Sequence, residues 1–198
     1  MRVLIACEFS GTVRDAFTKL GHDAISCDLL PSETPGKHYQ GDVLDIINDG
    51  FDLMIAHPPC TYLSNSGVRW LKNNPERQEL REKAVDFVFQ LLDCNIEKIA
   101  IENPIGYLST VWRKPEQIIQ PFYFGDPHWK STCLWLKNLP LLVKTNEVEP
   151  EKKLCGGAKP GRITSELHRL PPSKDRWKIR SKTYQGIADA MANKWGTL

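Results

Sequence analysis

Cys60 closes the run Ala56-His57-Pro58-Pro59-Cys60, where a short apolar segment gives way to a loop. Most cysteines are core residues, but a thiol on an exposed strand-end loop is available as a nucleophile. It then needs a cation, a helix N-terminus or a hydrogen-bond donor to draw its pKa down from about 8.5. Glu102 ends a later apolar segment and is followed by Asn103-Pro104. A carboxyl partly withdrawn from water can hold a proton near neutrality and donate it; the plainer role is a strand-end acid bonding backbone amides. Near the N-terminus, Glu8-Phe9-Ser10-Gly11 follows a further apolar run, and a glycine turn there lets a nucleoside-like ligand approach the backbone. Asp28, at the tip of the next segment, suits a pair of ribose hydroxyls, and Asp42 is a second acid of this kind, with helix capping the ordinary alternative for both. His57 and Cys60 would make half of a metal site, but no second pair stands at suitable spacing. No acid stands out to complete a Cys-His hydrolase triad either, so no metal is expected.

The elements that position these residues follow from periodicity. Residues 2 to 7 are a strand candidate, and Thr12 to Leu20 places Val13, Ala16, Phe17 and Leu20 on one helical face before Gly21. Asp23 to Cys27 and Phe51 to Ala56 read as further strands. Asn74 with Pro75 behind it predicts the start of a long helix carrying Leu80, Ala84, Phe87, Val88, Leu91 and Leu92. Lys98 to Ile101 is a strand ending in Glu102-Asn103-Pro104. The stretch from Gln120 to Val143 reads as more strands, with Thr132 to Leu136 the best run, and a last helix starts near Gln185. Apolar strands alternating with amphipathic helices predict an α/β fold whose sheet is mostly parallel, with helices on both faces. Ligands of such a sheet bind at the carboxyl ends of its strands, where the unusual residues lie.

Charge divides the chain. Residues 1 to 150 hold 15 Lys and Arg against 20 Asp and Glu, a net of −5, whereas residues 151 to 182 hold 10 against 3, a net of +7. The organisation expected is a core over residues 1–150, a basic loop over 151–182, and a C-terminal helix over 183–198 that packs back on the core. A basic strip fits a polyanion, because Lys and Arg contacts to phosphate release counterions; a solvated loop is the plainer reading. Trp177, between Arg176 and Lys178, is a candidate base stacker, with Arg162 and Arg180 as further phosphate contacts. The six cysteines show no Cys-x-x-Cys spacing and read as reduced. No apolar stretch of about eighteen residues is present, and a soluble cytoplasmic protein is expected.

Taken together, these motifs resemble the DNA cytosine-5 methyltransferase family, in a compact version. Pro58-Pro59-Cys60 with Ser64 resembles its Pro-Cys loop, and Glu102-Asn103-Pro104 its Glu-Asn-Val motif. Cys7 to Gly11 is similar to its Asp-Leu-Phe-Ala-Gly-x-Gly cofactor motif, with Val13 at the second glycine. Gly41-Asp42-Val43 resembles the loop that meets the adenine. Gly125-Asp126-Pro127 through Leu134 resembles Gly-x-Pro-Gln-x-Arg-x-Arg-x-Phe, with Lys130 and Thr132 in place of the arginine pair. Tyr184 to Ala188 resembles the closing Gln-x-Gly-Asn motif, with no large target-recognition domain ahead of it.

The resemblance implies a Rossmann-like fold with S-adenosylmethionine as cofactor, contacted by Glu8, Phe9, Ser10, Gly11, Asp28, Asp42, Val43 and Pro58. It implies DNA, duplex or single-stranded, as the substrate. Cys60 would add to the ring carbon beside the one methylated, while Glu102 protonates the ring nitrogen and Lys130 anchors the substrate. Two other readings stay open: a non-catalytic nucleic-acid or cofactor binding module of this fold, and an enzyme that modifies free pyrimidine nucleotides.

Overall fold

The computed structural model describes residues 1–71, 73–151, 153–154, 163–164 and 170–198. Its elements in chain order are β1 (Arg2–Ala6), α1 (Thr12–Lys19), β2 (Asp23–Asp28), β3 (His38–Gln40), β4 (Leu53–Ala56), α2 (Pro75–Leu92), β5 (Lys98–Pro104), α3 (Leu108–Val111), β6 (Gln117–Ile119) and β7 (Thr132–Lys137). The two-residue strands β8 (Lys153–Leu154) and β9 (Ile163–Thr164) follow, then α4 (Arg176–Ser181) and α5 (Gln185–Trp195).

Seven strands form one sheet in the order β3-β2-β1-β4-β5-β7-β6, while β8 and β9 pair with each other. Strands β1 to β5 run parallel, and β7 is antiparallel to both β5 and β6. Chain order grows outward from β1 in one direction through β2 and β3, then in the other through β4 and β5. That reversal opens a crevice beyond the ends of β1 and β4, the ligand position of a doubly wound, Rossmann-like sheet.

The central strands β1, β4, β5 and β7 are buried on both faces, so alternate residues feed two cores, while the edge strands β3 and β6 are only partly buried. Val3, Ile5, Leu53, Ile55, Ala100 and Leu134 pack with Val13 and Phe17 of α1 and Met191 and Trp195 of α5. Leu4, Ala6, Met54, Ala56, Ile99, Ile101 and Trp135 pack with Val85, Val88 and Leu91 of α2. Burial at about 25 cal/mol per Å² makes these two layers the main stabilisation of the fold. Asn74 caps α2 as its sequence predicts: its side-chain oxygen accepts from the Arg77 amide at 3.0 Å, with Pro75 in the first turn. Gly21, at φ 84°, ends α1.

The sequence pattern departs from the structure in several places, with the short strand β3 and the short helix α3 unforeseen. The apolar run at Thr132 is an antiparallel strand, because burial on both faces specifies a strand and not its direction. Within Gln120 to Val143, Pro121 opens a 3-10 turn (Pro121–Tyr123) and β6 lies just ahead of the expected stretch. The basic strip carries the short helix α4, where no periodicity signalled one. Arg162, expected among the phosphate contacts, lies outside the described residues, as do Lys152, Lys159 and Arg169. No helix among the described residues is long and apolar enough to cross a membrane.

Candidate active site at the strand ends

The register of β4 on β5 pairs Ala56 with Ile101, so the next residues, His57 and Glu102, emerge side by side. His57 Nδ1 lies 2.9 Å from Glu102 Oε2, and both side chains are about nine-tenths buried. The adjacent residue completes a second link: Asn103 Nδ2 donates to the Pro58 carbonyl at 2.8 Å. Beyond Pro58, which is buried, the chain exposes Pro59 and Cys60 and turns back, with the Leu63 and Ser64 amides donating to the Cys60 carbonyl. Gly106 makes this return possible, since a Cβ there would stand 2.0 Å from the Leu63 carbonyl oxygen. The Tyr107 amide bonds that same carbonyl at 2.7 Å. The Pro-Pro-Cys loop is therefore tied to the exit of β5 at both of its ends.

Electrostatics couple the thiol and the carboxyl. Desolvation pushes the Cys60 thiol above its ordinary range although the residue is exposed at the loop tip, and the Glu102 charge pushes in the same direction; Lys130 and Arg180 oppose it. Burial also acts to raise Glu102, but the His57 bond and charge, the Lys130 charge and a bond from Thr132 outweigh it. The carboxyl is thus held below the usual range. Lys130 reaches this centre from the segment before β7, with its Nζ donating to the Lys182 carbonyl at 3.0 Å and lying over the Tyr184 ring.

At the end of β1 the expected cofactor residues are built in differently. Glu8 is buried, and its carboxylate accepts from the Val13 and Arg14 amides at 2.7 and 3.2 Å and from the Ser10 hydroxyl at 3.2 Å. It caps α1 from outside the helix, a favourable place for negative charge, because Gly11 at the N-cap has no side chain to do so. Arg14, fully buried, reaches Ser26, Ser32, Thr34 and the Pro35 carbonyl, pinning the loop after β2 against the glycine turn. A Cβ on Gly11, whose φ is 76°, would stand 2.2 Å from Thr34 Oγ1. Asp28 sits at the tip of β2; burial pushes its carboxyl up, against a bond from the Leu30 amide. Asp42 caps a 3-10 turn (Val43–Asp45) through the Leu44 amide, and Val43 is withdrawn into the core under α2.

The covering element of the crevice is the end of the basic strip. Trp177 of α4 packs its ring 6.0 Å from Phe9, and Lys182 pairs with Glu33 at 2.5 Å. Ser181, Lys182 and Thr183 close over Cys7, Glu8, Phe9, Ser10 and His57, leaving a cavity of about 40 Å³. Small-molecule sites run to several hundred Å³, so the space left under this stretch is too small for a nucleoside. Arg176, Lys178 and Arg180 lie along the same helix, and Trp177 keeps 52% of its surface exposed.

Cys60, Glu102, Lys130 and Arg180 thus converge, as do Glu8, Phe9 and Ser10 with the covering segment, while Asp42 and Val43 serve local structure. Sequence reading missed His57 as the partner of Glu102 and Asn103 as the tie to Pro58. Their signal was present only as adjacency to the two motif residues. Gly125-Asp126 and Gln185-Gly186 also meet, with the Gly186 amide donating to Asp126 Oδ2 at 3.1 Å. Among the described residues no three His, Cys, Asp or Glu side chains cluster as metal ligands.

Fold and site define a class: a doubly wound, Rossmann-like α/β protein with a cysteine thiol and a buried carboxyl at neighbouring strand ends beside the crevice of its sheet. No family model matches the chain, and no curated protein matches it. Among solved structures it is similar to S. pombe Dnmt2 methyltransferase, with 17% identity and a TM-score of 0.46, covering 100% of this chain and 66% of that one. This chain accordingly spans about two thirds of the length of that protein.

Proposed function

We propose that the protein is an S-adenosylmethionine-dependent methyltransferase that acts on carbon 5 of cytosine in DNA through a covalent bond to Cys60. The observation that carries this reading is the thiol–carboxyl pair at the ends of β4 and β5, with its two loops locked by the bond from Asn103 to Pro58. Cytosine resists attack at carbon 6 unless its ring nitrogen takes a proton in the same step, so a nucleophile and a proton-bearing group must face one base together. Cys60 and Glu102 offer the thiol and the carboxyl for these two roles; the carboxyl, held below the usual range, acts by passing on a proton it has first taken up, and Lys130 opposes the rise of the thiol pKa. The base must be turned out of a duplex to reach them.

S-adenosylmethionine would supply the methyl group. Asp28, a half-buried carboxyl at the tip of β2, suits ribose hydroxyls, and Phe9 offers an aromatic face once Trp177 moves off it. The test is incubation with labelled S-adenosylmethionine and, separately, duplex DNA, single-stranded DNA and dCMP. Label is expected in DNA as 5-methylcytosine. Label in dCMP alone favours an enzyme of free pyrimidine nucleotides, and binding without transfer favours a non-catalytic module.

The basic strip is the proposed DNA grip. With about four to six phosphate contacts, log affinity is expected to fall against log salt with a slope of roughly −4 to −5 on duplex DNA. Replacing Arg176, Lys178 and Arg180 of α4 with alanine is expected to reduce that slope by about two to three. Salt titrations with parallel slopes for the two proteins would exclude α4 from the interface.

A further inference from the structure

His57 carries a polar atom that the site leaves without a partner. Its side chain is nine-tenths buried, and Nε2 has no hydrogen bond among the described residues. The ring lines the small cavity beneath Ser181, Lys182 and Thr183, with Nδ1 held 2.9 Å from Glu102 Oε2. A neutral imidazole opposite a carboxylate places its single hydrogen on Nδ1, whereas the protonated ring bears one on each nitrogen. Among the described residues, Cys7 and Glu8 at the end of β1 and Lys182 in the covering segment share its cavity, and Glu102 on β5 faces it together with Lys130 and Cys60, which act on that carboxyl. Glu102 is the one bonded to it.

The proposed reaction asks Glu102 to give a proton to the cytosine ring, yet the surroundings of this carboxyl keep it ionised. A carboxylate held ionised delivers only a proton that is first passed to it. Lys130 and Thr132 do not serve: a lysine ammonium ordinarily releases its proton only near about pH 10, and a threonine hydroxyl gives a hydrogen bond but no proton near neutrality. Imidazole is the side chain whose proton is exchangeable in this range.

We propose that His57 is the proton source for Glu102, an inference that rests on the cytosine reading above. As the Cys60 thiolate bonds to carbon 6, the C5–C6 π pair moves between C5 and C4 and the C4–N3 π pair moves onto N3. N3 takes a proton from the Glu102 carboxyl, which takes one from Nδ1, leaving a neutral imidazole with its hydrogen on Nε2. C5 takes the methyl group with the C4–C5 π pair while the N3 pair re-forms C4=N3; solvent water then takes the C5 proton, the C5–H pair re-forms C5=C6 as the thiolate leaves, and the N3 proton returns along the same path. His57 is thus a positioning and relay residue acting through Glu102, and it makes the step pH-dependent from both sides. Rate rises as Cys60 ionises and falls once the His57–Glu102 pair has lost its proton; that second limb belongs to the pair and not to either residue alone.

The test is the pH profile of methyl transfer to cytosine DNA. The wild type is expected to give a bell. His57→Asn keeps an N–H where Nδ1 stands but cannot release it; the expected result is about a hundredfold slower transfer and a rate that only climbs with pH. His57→Gln, measured beside it, is expected to lose the same limb. A wild-type rate that only climbs with pH overturns the relay without any variant, and a bell that both variants keep overturns it too. No transfer by the wild type to any cytosine substrate overturns the reading beneath it, and the relay with it.

Discussion

On the proposed mechanism the wild type is expected to form a covalent complex with DNA carrying 5-fluorocytosine, and Cys60→Ala is expected to remove that complex and to abolish methyl transfer. Fluorine at carbon 5 cannot leave as a proton does, so the adduct accumulates with the nucleophile still attached. Among the described cysteines Cys60 is the exposed one; Cys27 and Cys133 are buried, and Cys7 and Cys94 are intermediate. Cys7 lines the same crevice, but burial and nearby Asp28 push its thiol far above the ordinary range, which leaves almost none of the reactive thiolate. The loss on Cys60→Ala is therefore expected to be complete within detection. Denaturing electrophoresis of the trapped complex is the measurement, and an adduct that survives the substitution would move the nucleophile elsewhere. Cys60 itself sits above its ordinary range, so adduct formation is expected to quicken as pH rises from 7 to 9.

Glu102→Gln is expected to slow methyl transfer by roughly two to four orders of magnitude, the usual worth of a positioned proton donor. The glutamine keeps the shape of the carboxyl and an oxygen facing His57, but it has no proton to give. Affinity for S-adenosylmethionine is expected to stay within about twofold, since Glu102 faces the Cys60 loop and the β1 residues line the crevice. Equal losses of rate and of cofactor affinity would mark Glu102 as structural. A second readout follows from linkage. The folded protein holds this carboxyl below its unfolded value, so its contribution to stability is fully present above the ordinary carboxyl pKa of about 4 and is lost as pH falls through the lower, folded value. Denaturant melts from pH 7 down to pH 3 are expected to show a shallower acid decline for Glu102→Gln than for the wild type.

Much of this architecture is written locally. Val3-Leu4-Ile5-Ala6 and Leu53-Met54-Ile55-Ala56 are strands because every residue meets a core on one face or the other, and the helix from Pro75 starts where Asn74 can cap it. Cys60 and Glu102 are legible as candidates at strand ends for the same reason: an apolar run followed by proline ends a buried strand and opens a loop. What the residues could not convey is which strand ends become neighbours. His57 and Glu102 are 45 positions apart, as are Pro58 and Asn103, and they meet because β4 and β5 lie side by side in parallel register. Periodicity reports that a segment is buried and says nothing of the segment beside it. The same limit explains β7, whose apolar run is compatible with either direction and which runs antiparallel to β5.

The β1 end shows the converse. Glu8 reads from sequence as a ligand contact, yet its carboxylate is committed to α1 because the Gly11 turn leaves the helix amides at 13 and 14 without a cap of their own. Trp177 and Lys182 read as free to meet nucleic acid, yet they pack on Phe9 and Glu33 across more than 140 positions of chain. Sequence alone therefore determined the chemical types available at the strand ends and the alternation that builds a doubly wound sheet, since both depend on near neighbours. Only the tertiary structure decided that a histidine would face the carboxylate, that an asparagine would hold the thiol loop, and that the basic helix would cover the crevice. Those pairings are set by strand order and by the folding back of distant segments, and each is made of single contacts that leave no period in the chain.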